Sequence, residues 1–147
     1  MSHVTEVKLK LKDLDAVEEA AKLCGLELVR DKKTFKWYGK FVGDTTPPEG
    51  RDPKDYGKCE HALKQTDMKG GYEIGLVKAL DGDGYDAMFD SWSSEGGRLP
   101  FKAMQLKQEY AVAVTTRKAK DVLARKGFGV TREDLAGGRV RLRLRKR

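Results

Sequence analysis

The sequence predicts an α+β fold: a mainly antiparallel sheet with two helical segments packed on one face. Three observations lead there. Several short stretches alternate apolar and polar residues with the period of a strand. Two stretches instead repeat apolar residues at helical spacing. Their order, β-α-β, then a hairpin, then α-β-β, lacks the steady β-α alternation of a parallel sheet. A chain of 147 residues fits one domain, residues 1–147, since domains commonly hold about 100–150 residues.

Residues 4–12 place Thr5, Val7, Leu9 and Leu11 against Glu6, Lys8, Lys10 and Lys12, a half-buried strand with a mostly basic outer face. Asp13 or Asp15 can cap a helix with apolar positions Leu14, Val17, Ala20, Ala21 and Leu23, and Gly25 stands where a C-cap glycine belongs. Leu26 to Val29 forms a short strand. Residues 34–42 predict another, with Phe35, Trp37 and Phe41 on one face and Lys36, Tyr38 and Lys40 on the other. Residues 43–57 carry Pro47, Pro48 and Pro53 without periodicity and read as a surface excursion, functional or mobile. Residues 58–66 predict a strand with Cys59, His61 and Leu63 on one side.

Gly70-Gly71 opens the clearest hairpin, residues 72–80 and 85–92, closed by Asp81-Gly82-Asp83-Gly84. Asp-Gly pairs supply the positive φ angles tight turns need. Pro100 suits the first turn of a long helix over residues 101–126, with Met104, Leu106, Tyr110, Ala111, Val114, Val122 and Leu123 buried and a break or bend at Thr115-Thr116. Gly127 ends it. Residues 128–131 then form a strand, and Gly137-Gly138 turns the chain into a last one. The whole lies in the ferredoxin-like neighbourhood.

That last strand has two chemically different faces. Val140, Leu142 and Leu144 point one way, to be buried, and Arg139, Arg141, Arg143, Arg145 and Arg147 point the other. Residues 139–147 hold six basic and no acidic residues, whereas residues 1–138 hold 24 Lys and Arg against 23 Asp and Glu. Nearly all of the net charge of +7 therefore sits in one stretch. Alternate residues lie about 6.6 Å apart, so the guanidiniums span roughly 26 Å. If the first strand is adjacent, Lys8, Lys10 and Lys12 widen the row. Arginine forks match phosphate oxygens, which makes nucleic acid one reading. An acidic protein surface, or a solvated face that keeps an edge from pairing, are the others. Tyr38 alone is an outward stacking platform, which disfavours a sequence-reading RNA module.

Other chemistry is thin. Cys59, His61, His3 and Cys24 are zinc-ligand types without paired spacing, and two cysteines make no disulfide framework. A calcium loop starting at Asp81 would need an oxygen ligand at its fifth position and Glu at its twelfth, where Tyr85 and Trp92 stand. No phosphate loop is present, and Ser91, Ser93 and Ser94 show no partner base. We expect a non-enzymatic protein without cofactor. No secretory leader pattern opens the chain, and no apolar run approaches the roughly 20 residues needed to span a bilayer. A cytoplasmic location with no membrane partner is the expectation.

Met1-Ser2-His3 before a strand, Gly71-Tyr72-Glu73-Ile74-Gly75-Leu76 followed by residues 85–92, Gln108-Glu109-Tyr110-Ala111 on a long helix, and the strand after Gly127 together resemble one family. It is that of the hypothetical chloroplast reading frame thirty-five, a domain of unknown function in plastids, bacteria and phages. The resemblance covers both ends and the central hairpin but not residues 43–57. It implies a small intracellular protein with no established reaction, and an adaptor role beside an AAA+ ATPase, whose genes often lie nearby. Such an adaptor would use the excursion or an exposed sheet edge. The arginine run is no part of the resemblance.

Overall fold

A computed structural model describes residues 3–147; Met1 and Ser2 lie outside them. The order is β1 (Val4–Leu11), α1 (Leu14–Leu23), β2 (Leu26–Val29), β3 (His61–Gln65), β4 (Ile74–Lys78), β5 (Tyr85–Asp90), α2 (Ser93–Gly96), α3 (Leu99–Ala124), β6 (Phe128–Asp134) and β7 (Val140–Lys146). Five strands form an antiparallel sheet in the order β1-β5-β4-β3-β2, and β6-β7 make a separate two-stranded sheet. The α+β class predicted from the sequence is the one observed. Strands β1 and β2, joined by α1, are the two borders of the large sheet. The meander β3-β4-β5 fills the space between them, a split β-α-β unit opened by three strands.

One face of the sheet carries the helices. Val17, Ala20 and Ala21 of α1 and Leu99, Ala103 and Leu106 of α3 pack on Leu11, Leu26, Leu63, Ile74, Leu76 and Phe89. Helix α1 starts where its sequence says, with the Asp13 carboxylate accepting from the N–H groups of Asp15 and Ala16. Tyr110 fixes the entry to that helix, its hydroxyl accepting from the Lys12 and Asp13 N–H groups at 2.9 and 3.1 Å.

The opposite face has its own core, and here the structure departs from the expected strand at 34–42. That stretch makes a single bridge, Thr34 to Lys58. Its alternating aromatics are real, but they face the flat of the sheet. Phe35 is buried with Tyr56, Cys59, Ala62, Val77 and Met88, and Trp37 and Phe41 pack beside them. The backbone above is held by carboxylates of the sheet: Glu73 accepts from Lys36 N–H at 2.9 Å and Asp90 from Tyr38 N–H at 3.1 Å. A Cβ at Gly75 would overlap the Phe35 ring, so glycine there lets the segment lie flat. Cys59 and Leu63, expected on one side, belong to opposite cores.

Strand β1 carries an irregularity, and α3 differs from the expected helix. The pairing of β1 with β5 shifts between Val7 and Leu11, and Lys10 adopts φ of 50°. The buried Asp86 carboxylate holds this bulge by accepting from Leu9 and Lys10 N–H at 2.9 and 3.0 Å. The shift spans two residues, so the alternation survives it: Val7, Leu9 and Leu11 face the helices, while Val4, of the other parity, joins the second core. Helix α3 runs through Thr115-Thr116 without a break, and the Thr115 hydroxyl is spent within it, donating to the Ala111 carbonyl at 2.8 Å. Met104 and Val122, expected in the core, are more than half exposed. Among the described residues no helix is long and apolar enough to cross a membrane.

Candidate nucleic-acid interface

The last third of α3 leaves the large sheet behind and is flanked instead by the β6-β7 ribbon. The register, from Phe128↔Lys146 to Asp134↔Val140, fixes which side chains share a face. Gly129, Thr131 and Glu133 of β6 stand beside Arg145, Arg143 and Arg141 of β7. The other face carries Phe128, Val130 and Arg132 with Val140, Leu142 and Leu144, and it turns toward α3. The turn is closed by Leu135 N–H donating to Arg139 carbonyl at 2.9 Å, with Gly137 and Gly138 at φ of 77° and 73°. Gln108 of α3 donates to the Gly138 carbonyl. Arg147 N–H donates to Gly127 carbonyl, carrying the ladder past the end of β7.

The strongest polar tie between the ribbon and α3 is one ion pair. Arg132 Nη1 and Nη2 lie 2.6 and 3.1 Å from the two Glu109 oxygens, a bidentate contact, and Nη2 also reaches Asp134 at 2.9 Å. Glu109, first among these, drives the Arg132 pKa above its ordinary value. The apolar contribution is weaker than the sequence led us to expect. Val140 and Leu142 are only half-buried and Leu144 is 53% exposed, since α3 lies under β6 rather than β7. A gap of about 120 Å³ between α1, α3 and β6 adds to this, lined by Val112, Thr116 and Val130 among others.

The five arginines are all exposed. Glu133 is the one acid on their face, at 2.6 Å from Arg143 and 3.8 Å from Arg141. Arg139, Arg145 and Arg147 have no acidic partner among the described residues; Arg139 donates to the Ala136 carbonyl. Lys8, Lys10 and Lys12 do not join them. Lys8 and Lys10 stand on β1, in the other sheet, and Lys12 just past its end, with Lys10 paired to Asp81 and Lys12 to Asp83 of the β4-β5 turn. Those pairs also account for the acids that invited a calcium reading.

The sequence reading missed six further cations in the same stretch of chain: Lys118, Lys120, Arg125 and Lys126 on α3 and its end, with Arg117, which pairs with Asp13, Asp15 and Glu19 of the α1 region, and Arg132, which is held by Glu109 on the other face of the ribbon. Their signal was available in the charge count. Residues 117–147 hold twelve Lys and Arg against three Asp and Glu, a net of +9, while residues 1–116 hold eighteen against twenty, a net of −2.

The candidate metal ligands are scattered. Cys24 belongs to the core under the helices and Cys59 to the core on the opposite face. His61 Nδ1 accepts from Asp31 N–H, and His3 packs edge-on against Trp92 and pairs with Asp44. Among the described residues no three of His, Cys, Asp or Glu group to hold a metal ion. Burial pushes the Cys24 thiol up to about 11 and the Cys59 thiol up to about 12, so neither is a ready nucleophile. Ser91 donates to the His3 carbonyl and Ser93 accepts from Glu95 N–H, without an imidazole partner. No protein-family model, curated protein or solved structure matches the chain.

Proposed function

We propose that the protein is a non-catalytic, cytoplasmic nucleic-acid-binding module that uses the β6-β7 ribbon and the adjoining end of α3. The charge partition is the observation that carries the reading: a net of +9 on residues 117–147 beside −2 on all the rest. A field so uneven orients the molecule toward a polyanion before contact. The exposed guanidiniums then match phosphate oxygens, with three of them on one face at the strand repeat. The AAA+ adaptor reading, which rests on the family resemblance, would not need this face.

Fluorescence anisotropy with a labelled oligonucleotide tests the proposal. With five phosphates neutralised, log K should fall by about 4.5 per log unit of salt, or about 500-fold between 50 and 200 mM by the same relation. The variant R141Q/R143Q/R145Q should lose most of the affinity while keeping its melting temperature within a few degrees. Undiminished binding by that variant, or binding indifferent to salt, overturns the reading.

A further inference from the structure

Resting on that reading, we infer that the ligand is duplex DNA, entered by the ribbon through the major groove and held by phosphate contacts, with little regard to base sequence. The first support is the side-chain inventory of the outer face. Gly129, Thr131, Glu133, Arg141, Arg143 and Arg145 include no aromatic ring. Single-stranded nucleic acid is held by stacking bases on aromatic platforms as well as by charge. The large exposed aromatics of this chain are Tyr38, in the segment over the second core, and Phe101, in the first turn of α3. Neither shares a face with the arginines.

The second support is shape. Two paired strands with their side chains match the groove of B-form DNA, about 12 Å wide, which admits a two-stranded ribbon. The major groove of A-form RNA is too deep and narrow for side chains to reach into. The outer face also has relief. Arginines form a ridge along β7, beside a low lane over Gly129 and Thr131 on β6. Arg147 lies along that lane, its Nε 3.4 Å from where a Cβ on Gly129 would stand. A glycine at that position thus lets one more guanidinium join the face. Behind the ribbon, α3 and the Glu109–Arg132 pair cover the β6 side of the opposite face, so the arginine side is the fully open one.

The third support concerns base reading. Asn and Gln, whose amides pair with adenine edges, are absent from the outer face, and Gln108 is turned to the Gly138 carbonyl. Glu133, an acid that can accept from cytosine, is engaged by Arg143 and Arg141. Arginine itself pairs with guanine edges, so any preference this face carries is for G·C pairs alone; its contacts to phosphate position the protein and carry no sequence information.

Anisotropy titrations of the full chain at 100 mM salt decide the matter, using a 20-base-pair DNA duplex, a second duplex of unrelated sequence, one of the single strands, and an RNA duplex. The expected result is tenfold or greater preference for duplex DNA over single strand and RNA duplex, with the two DNA duplexes within threefold. Methyl green, a major-groove ligand, should displace the protein, and netropsin, a minor-groove ligand, should not. The substitution Glu133→Gln removes the one acid from the face and should tighten duplex binding several-fold. Equal or tighter binding to single strand or RNA, displacement by netropsin, or a strong difference between the two duplexes overturns the inference while leaving the nucleic-acid reading in place. Failure of all four probes to bind overturns that reading itself.

Discussion

Replacing Glu109 by Leu should release the ribbon while leaving the large sheet intact. Glu109 is largely buried, its side chain 11% exposed against 28% for Arg132, and it holds both guanidinium nitrogens. Removing one partner of a buried pair costs about 3–5 kcal/mol. Two features reduce that here: Arg132 keeps Asp134 at 2.9 Å, and water already reaches part of its guanidinium. About 2 kcal/mol remains, on the scale between exposed and buried pairs. Little else resists opening, because the apolar face of β7 is half-covered at best and a free two-stranded hairpin is marginal in water. The opening equilibrium should therefore shift by roughly 30-fold, as about 1.4 kcal/mol is a factor of ten. Amide hydrogen exchange reads this directly. Ribbon amides in β6 and β7 should exchange about 30-fold faster, those of β4 and β5 at unchanged rates. The double substitution Glu109→Leu with Arg132→Leu should recover most of the protection, since two apolar partners can replace a buried pair. Equal acceleration throughout the sheet, or no change in the ribbon, refutes this account of how the two sheets are coupled.

Gly75→Ala should destabilise by about 1–3 kcal/mol, the range for overpacking a core, because the new methyl meets the Phe35 ring; adding Phe35→Leu should restore part of the loss in a urea titration. Asp86→Ala strands two N–H groups at the β1 bulge and should lower stability by about 2–3 kcal/mol, seen as a lower denaturation midpoint with similar slope. The two thiols should resist a thiol reagent at pH 8 in the folded protein and react once it is unfolded. Their folded-state pKa values lie above the ordinary 9.0, at about 11 for Cys24 and about 12 for Cys59. The unfolded chain therefore releases these protons first, and stability should decline from pH 9 upward until about pH 11–12. Cys24→Ala with Cys59→Ala should flatten that decline; an unchanged alkaline slope counts against it.

Much of the fold was legible because local pattern and tertiary role agreed. The Asp13 cap, the apolar stripe of α1, Gly25 and the Asp-Gly turn of β4-β5 each specify their own element. The misreadings share a cause: a period-two pattern says that one side of a segment is buried, not that its backbone pairs with a strand. Phe35, Trp37 and Phe41 satisfy the pattern by covering a sheet face. Val140, Leu142 and Leu144 satisfy it only in part. The arginine face could be read from the chain, because alternation and exposure suffice for it. That Lys10 and Lys12 are neutralised by Asp81 and Asp83 could not, since it depends on β1 lying next to β5, residues some seventy positions away. The cations of α3 lie where its apolar positions thin out and the helix leaves the core, so helical periodicity says least about that part of the chain.

The inserted meander has a consequence for the order of folding. By residue 29 the chain has made both border strands and the helix between them, yet neither border has a neighbour to bond. Strand β2 must wait for β3, at 61–65, and β1 for β5, at 85–90. Pairings so far apart in sequence carry a loop-closure cost before they return any stabilisation, and proteins rich in them fold slowly. During synthesis the first third of this chain must remain open, its strand edges unpaired, until the middle third has emerged. The ribbon has no such dependence: β6 and β7 need only each other and the helix just before them. Two parts of one chain thus assemble on different clocks, the slow one building the body and the quick one its charged face.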